Sequence, residues 1–185
     1  NAMMRGANRH EKEYIVKTIV TTETIKTIAE RNGVEMYDVY TGFKWIANVM
    51  RENEGKKNYI GGGEESYGFL CEDFVRDKDA VSACVILAEI AAWAKDQGLS
   101  LYQLLQKIYV EYGFSKEKGI SVVKKGKSGA EEIEAMMKKF RENPLTEIAG
   151  SKVTYFYDYS TLKGKDYAEN ETVTLDMPTT SNVLQ

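Results

Sequence analysis

Hydrophobic residues recur in the first third of the chain with two different periods, and each period predicts a different kind of element. β-Branched and aromatic residues fill positions 14–22, which is typical of a strand. Apolar residues at 25, 28 and 29 have helical spacing, and Asn32-Gly33 is a common helix end. The same reasoning predicts a strand at 34–39, a helix at 43–51 and a short strand at 58–60.

The next helix is predicted over residues 80–93, which are apolar on nearly every side. A helix without a polar face is expected to be buried on several sides. Either Asp77 or Asp79 can cap its start. Cys84 lies in this apolar run and is interpreted as a thiol of the core.

Two more helices follow. Ser100 and Gln103 have the spacing of a capping box, so a helix is expected from there to about Tyr112. Another is predicted over 130–143, with Pro144 just beyond its end. Both are expected to end where the sequence no longer favours a helix.

After Pro144 the apolar period changes to that of strands. A strand is predicted at 151–160 and a loop at 163–170. Two further strands are possible, at 172–175 and at 182–185. The fold class is therefore α/β: a three-layer α/β/α domain with a small mixed sheet, followed by a β-rich part.

The predicted organisation has three parts. Residues 1–3 resemble a tag remnant, 4–145 form the α/β domain, and 146–185 begin a further domain. The chain stops within the apolar run Val183-Leu184, so we expect it to be a piece of a longer protein.

Composition excludes several classes of protein. The 185 residues carry a formal charge of −3 and are 43% hydrophobic, which argues against a disordered chain and against a general nucleic-acid binder. No apolar run is long enough to span a membrane. With two cysteines, Cys71 and Cys84, and one histidine, His10, we expect no disulfide framework, no Ser-His-Asp triad and no His-rich metal site. A reducing, cytoplasmic compartment is the default expectation.

The segment Gly61-Gly62-Gly63-Glu64-Glu65-Ser66-Tyr67-Gly68 is the most informative motif. On extended backbone, Glu64 and Ser66 would face the same way. A carboxylate beside a hydroxyl suits two neighbouring hydroxyls of a sugar. The alternative is a tight loop with a solvated acidic tip.

Three other segments are weaker candidates for binding an anion. Thr41-Gly42-Phe43-Lys44 opens a helix and could offer backbone N–H groups, or could be a turn with a core aromatic. Arg76-Asp77-Lys78-Asp79 could meet a phosphate, or could simply cap a helix. Gly126-Lys127-Ser128 is interpreted as a solvated turn, since Ser121 stands where a P-loop needs glycine.

Four motifs in order resemble the third domain of the α-D-phosphohexomutases, in the phosphoglucomutase/phosphomannomutase branch that includes phosphopentomutases. They are Lys17-Thr18-Ile19-Val20-Thr21-Thr22, Thr41-Gly42-Phe43-Lys44-Trp45-Ile46, Gly63-Glu64-Glu65-Ser66-Tyr67-Gly68 and Asp77-Lys78-Asp79. The stretch 99–113 is similar to that branch as well. The resemblance covers roughly residues 14 to 185.

The resemblance implies a role for particular residues. Glu64 and Ser66 would bind sugar hydroxyls, Thr41 and Gly42 would form the turn near the sugar, and Lys78 would lie near the substrate phosphate. The chain departs from the family pattern by having Tyr67 before Gly68, Phe43 where some members have His or Trp, and Ala80 where glycine is frequent.

The resemblance also implies which parts lie elsewhere. The family's phosphoserine and Mg²⁺ loops are absent from this sequence, and its C-terminal phosphate loop would follow Gln185. The parent would interconvert hexose 1-phosphate and 6-phosphate through a glucose 1,6-bisphosphate-type intermediate, with Mg²⁺ held outside this segment. Its partners would be hexose phosphates and the parent's remaining domains, and the segment alone would be inactive. The alternatives are a phosphopentomutase fragment and a non-enzymatic α/β interaction module.

Overall fold

The computed structural model describes residues 12–185, so the predicted tag remnant and His10 lie outside the described residues. The chain divides into two compact units, Asn1–Lys118 and Gly119–Gln185. The helix predicted over 130–143 groups with the second unit. The predicted domain boundary between residues 145 and 146 refers to the domains of a longer parent protein, and it stays a prediction.

The first unit is a four-stranded sheet with helices. Its elements, in chain order, are β1 (Glu13–Thr18), α1 (Thr24–Arg31), β2 (Glu35–Val39), α2 (Phe43–Asn53), β3 (Asn58–Gly63), β4 (Phe69–Cys71), α3 (Ala80–Asp96) and α4 (Leu101–Tyr112). The strand order is β2-β1-β3-β4, in which β1 is parallel to β2 and β3, and β4 is antiparallel to β3. The predicted α/β class with a mixed sheet is confirmed.

The register of the parallel strands brings three loops to one edge of the sheet. Lys17 near the end of β1 is paired with Asp38 of β2 and with Gly63 of β3. The carboxyl ends of all three strands therefore lie side by side. In a sheet of order 2-1-3, the loops after the first and third strands border the crevice where ligands commonly bind.

The core of the first unit lies between α2 and the sheet. Ile46 of α2 and Leu70 of β4 are both completely buried. Tyr14 of β1 packs against Tyr37 and Tyr59, with ring centroids 5.6 and 5.5 Å away. Burial raises the pKa of Tyr59, whose ring is part of this cluster.

The expected burial of α3 is wrong in this chain. Val81 is 74% exposed and Trp93 is 44% exposed, and Ala94 is the buried residue of the helix. Cys84, interpreted as a core thiol, is exposed, whereas Cys71 is buried. The apolar pattern of a helix says that it favours burial but does not say which segment covers it, and the described part of α3 contacts chiefly β4 and α4.

The helix ends follow the sequence more closely. The Asp79 side chain accepts hydrogen bonds from the backbone N–H groups of Val81 and Ser82, so it is the N-cap of α3. The predicted capping box of α4 is present, since Ser100 and Gln103 bond each other's backbone N–H groups.

The second unit is rich in short strands. Its elements are α5 (Gly126–Glu142), β5 (Glu147–Ile148), β6 (Ser151–Lys152), β7 (Tyr155–Asp158), β8 (Lys163–Asp166) and β9 (Glu171–Thr174). The β5–β6 pair and the β7-β8-β9 sheet are antiparallel. The predicted β-rich character of this part is confirmed.

Three details of the second unit correct the sequence-based predictions. The loop predicted over 163–170 contains β8, the central strand of its sheet. The strand predicted over 151–160 is interrupted between β6 and β7. Gly126-Lys127-Ser128, predicted as a turn, forms the first turn of α5. Near the end of the chain, Gln185 exchanges two backbone hydrogen bonds with Tyr157, as a paired strand would.

A partly buried ion pair links a helix and a strand of this unit. Arg141 of α5 lies 3.1 Å from Asp158 of β7. Partial burial acts to raise the pKa of Asp158, but hydrogen bonds from Ser160 and Arg141 outweigh it, and the net pKa is lowered.

Within residues 12–185, no helix has both the length and the apolar character needed to cross a membrane.

The packing of the first unit makes a stability prediction. Ile46→Ala empties a completely buried position, and we expect it to lower the free energy of unfolding by about 3 kcal/mol. Val81→Ala is the matched control on an exposed position, with an expected change within about 0.5 kcal/mol. Urea denaturation followed by tryptophan fluorescence reports on this unit, because both tryptophans, Trp45 and Trp93, lie in it. Equal losses in the two variants would contradict this assignment of the core.

Candidate functional site

The candidate sugar-binding loop closes on itself directly after β3. The backbone N–H of Glu64 donates to the carbonyl oxygen of Gly68 at 2.7 Å. We call residues 64–68 the acidic loop. Its first side chain, Glu64, is partly exposed, whereas Glu65, Ser66 and Tyr67 are exposed.

Glu64 links the acidic loop to the start of α2. Its carboxylate oxygen Oε1 accepts a hydrogen bond from the backbone N–H of Gly42 at 2.5 Å. Gly42 precedes α2 with φ of 108°, a backbone conformation that favours glycine. The carboxylate therefore meets the N-terminus of a helix, where a negative charge is favourable.

The far end of the loop is shaped by the same carboxylate. A Cβ atom at Gly68 would come within 2.6 Å of Glu64 Oε2. A side chain at this position would displace the Glu64 carboxylate from where it lies. Glu64 is thus held on one side by Gly42 and bounded on the other by Gly68.

The structure places Thr41 and Phe43 differently. Thr41 is exposed beside Gly42, whereas the side chain of Phe43 is buried in the core. For Phe43, the alternative interpretation of the segment 41–44, a turn with a core aromatic instead of an anion site, is therefore correct. Of the two, Thr41 is the one available to a ligand.

The assumption of extended backbone between Glu64 and Ser66 is wrong. Residues 65–67 form a bend, and Tyr67 has φ of 60°. Ser66 Oγ donates to Glu65 Oε1 at 3.0 Å, while Glu64 faces Gly42. The two side chains follow each other around a bend, and their assignment as sugar ligands stays a prediction.

Glu65 fastens the acidic loop to the neighbouring strand. Its Oε2 accepts from the Thr18 hydroxyl at 3.1 Å, and the Thr18 and Thr21 hydroxyls lie 2.7 Å apart. Thr18 ends β1, so this contact spans the carboxyl ends of β1 and β3. The sequence offered no signal for the pairing, since 47 positions separate the two residues.

A buried lysine lies beside this arrangement, and sequence reasoning gave it no separate role. Lys17 is 1% exposed, and its Nζ lies 2.6 Å from Asp38 and 2.8 Å from Glu23. It also donates to the carbonyl oxygen of Thr21 at 3.3 Å. A buried ammonium group needs such partners. The network ties the loop after β1 to β2. The signal in the sequence that could have indicated this network is a lysine inside an otherwise apolar predicted strand.

Lys78 lies at the third segment of the site. The backbone N–H of Asp79 donates to the carbonyl oxygen of Phe69 at 3.0 Å, directly after the acidic loop. Hydrogen bonds from Ser82 and Val81 lower the pKa of Asp79. The Lys78 side chain is exposed, and its backbone N–H donates to Asp77 Oδ1. The segment is therefore a helix cap, and it also carries the exposed Lys78 side chain.

The residues at hand do not fit a magnesium site. Throughout 12–185, no three or more His, Cys, Asp or Glu side chains are grouped so that they could hold a metal ion. The carboxylates of the site are separately engaged with Gly42, Thr18 and a helix N-terminus.

The strained backbone at Tyr67 makes a second stability prediction. A bulky residue at positive φ costs about 1 kcal/mol, whereas asparagine tolerates this region well. We expect Tyr67→Asn to raise the free energy of unfolding by up to about 1 kcal/mol and the control Tyr67→Phe to leave it unchanged, measured by urea denaturation. A loss of stability in the asparagine variant would show that Tyr67 makes stabilising contacts instead.

Comparison with known proteins gives the context of this site. Residues 1–112 match the family described as phosphoglucomutase/phosphomannomutase, alpha/beta/alpha domain III. A phosphoglucomutase of Staphylococcus aureus (strain MRSA252) is 39% identical over 185 residues, which is 100% of this chain and 33% of the relative. One from Staphylococcus haemolyticus (strain JCSC1435) is 36% identical over 170 residues, 92% of this chain and 31% of the relative.

A solved structure supports the fold. The open form of parafusin, an exocytosis-sensitive phosphoprotein and phosphoglucomutase from Paramecium, matches with a TM-score of 0.53 at 19% identity, over 86% of this chain and 27% of that one. The chain spans about a third of the length of the curated relatives. The resemblance seen in the motifs is confirmed: the chain belongs to the phosphoglucomutase/phosphomannomutase family, and its first 112 residues match that family's α/β/α domain III.

Proposed function

We propose that this chain is the sugar-recognition segment of a phosphohexomutase, which interconverts hexose 1-phosphate and hexose 6-phosphate through a bisphosphate intermediate. The observation that carries the proposal is the position of Glu64. Its carboxylate is partly exposed, is fixed by the Gly42 N–H at 2.5 Å, and stands at the carboxyl edge of the parallel strands. A fixed acceptor at such an edge suits the hydroxyls of a sugar.

The other residues have complementary roles in this proposal. Ser66 and Thr41 are exposed residues that offer hydroxyl groups, and Gly42 keeps the Glu64 carboxylate in place. Lys78 supplies positive charge for the phosphate of the substrate. Phosphoryl transfer depends mainly on positioning and on charge stabilisation, so a segment that only orients the sugar contributes directly to the reaction.

The reacting groups themselves belong to other parts of the parent. We assign no catalytic residue to this chain, and no magnesium ligand, since the described residues hold no suitable cluster. The magnesium ion and the phosphoserine of the proposed reaction would be held outside this segment. The relatives named above are phosphoglucomutases, which favours a hexose phosphate over a pentose phosphate and an enzyme over an interaction module.

Binding of sugar phosphates tests the role of Glu64. A few charge-assisted hydrogen bonds, about 1.5–3 kcal/mol each, barely exceed an association cost of at least about 4 kcal/mol. We therefore expect binding of glucose 1-phosphate or mannose 1-phosphate with a Kd in the millimolar range, detected by ligand-observed NMR. Glu64→Ala should abolish it.

The matched control is Glu30→Gln, which removes an exposed carboxylate on α1 and should leave binding unchanged. Binding that survives in Glu64→Ala would contradict the role of this carboxylate. Binding at micromolar Kd in the wild-type chain would contradict the view that this segment recognises only part of the substrate.

Activity of the chain alone is a separate prediction. The purified chain with magnesium and glucose 1,6-bisphosphate should convert no glucose 1-phosphate to glucose 6-phosphate in a coupled dehydrogenase assay. Turnover by the purified chain, retained on repurification, would show that the reacting groups are present within these 185 residues.

A further inference from the structure

A groove of about 440 Å³ runs along the outer side of α2. It is lined by Lys44, Ala47, Asn48, Arg51, Arg76 and Asp77. Its volume is in the range of small-molecule sites. None of the residues assigned to sugar recognition lines it.

The helical period of α2 separates this groove from the core. Lys44, Asn48 and Arg51 follow one another at spacings of four and three residues, so they share one face of the helix. The buried residues Ile46 and Met50 lie on another face. Lys44 and Arg51 are two turns apart, about 10 Å along the helix axis.

The charge of the groove is mainly positive. It holds three cations and one carboxylate, Asp77, which already accepts the backbone N–H of Lys78. Arg76 is paired with Glu54 at 2.7 Å. Among the described residues, Lys44 and Arg51 form no ion pair with a carboxylate. Lys44 instead lies over the Trp45 ring, 5.1 Å from its centroid.

The donors are arranged for an anion with several oxygens. Arg51 Nη2 donates to Asn48 Oδ1 at 2.8 Å, which orients the guanidinium group along the helix face. A guanidinium fork matches the geometry of a phosphate, and a nearby ammonium group adds charge without geometric demands.

We propose that this groove is a second anion site, which binds the phosphate group of inorganic phosphate or of a small phosphate monoester. Arg51 is the main anchor, Arg76 and Lys44 complete the positive rim, and Asn48 holds the anchor in position. The site is independent of the proposed sugar contacts, because it uses neither the acidic loop nor Lys78.

Phosphate titration of the ¹⁵N-labelled chain tests this proposal. With chloride adjusted to keep the ionic strength constant, inorganic phosphate should cause saturable shifts of the amide signals of Asn48, Arg51 and Asp77. Arg51→Gln should weaken this binding about tenfold or more, since it removes a charge-assisted contact. Arg51→Lys keeps the positive charge but loses the forked guanidinium group, so its affinity for phosphate should lie between those of the wild-type chain and Arg51→Gln. The matched control, Lys127→Gln on α5, removes a 92% exposed cation and should change nothing.

Each alternative outcome overturns the proposal in a recognisable way. Shifts that do not saturate, or that persist unchanged in Arg51→Gln while its spectrum stays folded, would indicate an adventitious ion only. Phosphate binding that is lost in Glu64→Ala would place the anion at the acidic loop instead. Glycerol 3-phosphate distinguishes the two sources: tighter binding than inorganic phosphate favours a monoester, and weaker binding favours the free ion. Failure of sugar binding leaves this titration unaffected, so the two proposals fail separately.

Discussion

The hydrogen bond from the Gly42 N–H to the Glu64 carboxylate is the contact on which the candidate site depends. It joins the loop after β3 to the loop after β2, across the end of β1. It is the hydrogen bond that fixes the Glu64 carboxylate itself, since Glu65, Ser66 and Tyr67 are exposed and the chain bends immediately after Glu64. The same contact explains why glycine stands at two positions, at 42 for its backbone conformation and at 68 for the space that the carboxylate occupies.

Polar and charged groups in the neighbouring strands support this contact. The buried Lys17 pairs with the more exposed carboxylates of Asp38 and Glu23, and the Thr18 hydroxyl donates to Glu65. Breaking one partner of a buried ion pair leaves an uncompensated charge, so such a network favours one arrangement of the strand ends. The parallel register that places Lys17 beside Asp38 and Gly63 is therefore also what brings the three loops together.

The sequence predicted local features well and long-range ones poorly. The capping box at Ser100 and the Asp79 cap of α3 depend on neighbours within a few positions, and the structure contains both. The burial of α3 could not be predicted, because exposure depends on what covers a helix rather than on its own pattern. Strand β8 was missed because its residues are mostly charged. It forms because β7 and β9 pair with it on either side, and the ring of Tyr157 packs where Gly164 has no side chain. The contact between Gly42 and Glu64 joins positions 22 apart, which no local pattern specifies.

The most direct test of this account is amide hydrogen exchange at Gly42, measured by NMR in the wild-type chain and in Glu64→Ala. The account predicts that exchange at Gly42 becomes at least about tenfold faster in the variant, because the acceptor of its hydrogen bond is gone. The amide of Asp79, which bonds to the Phe69 carbonyl, should keep its rate and serves as the internal reference. Equal exchange of Gly42 in the two proteins would show that the carboxylate does not hold this loop, and it would contradict the site as described.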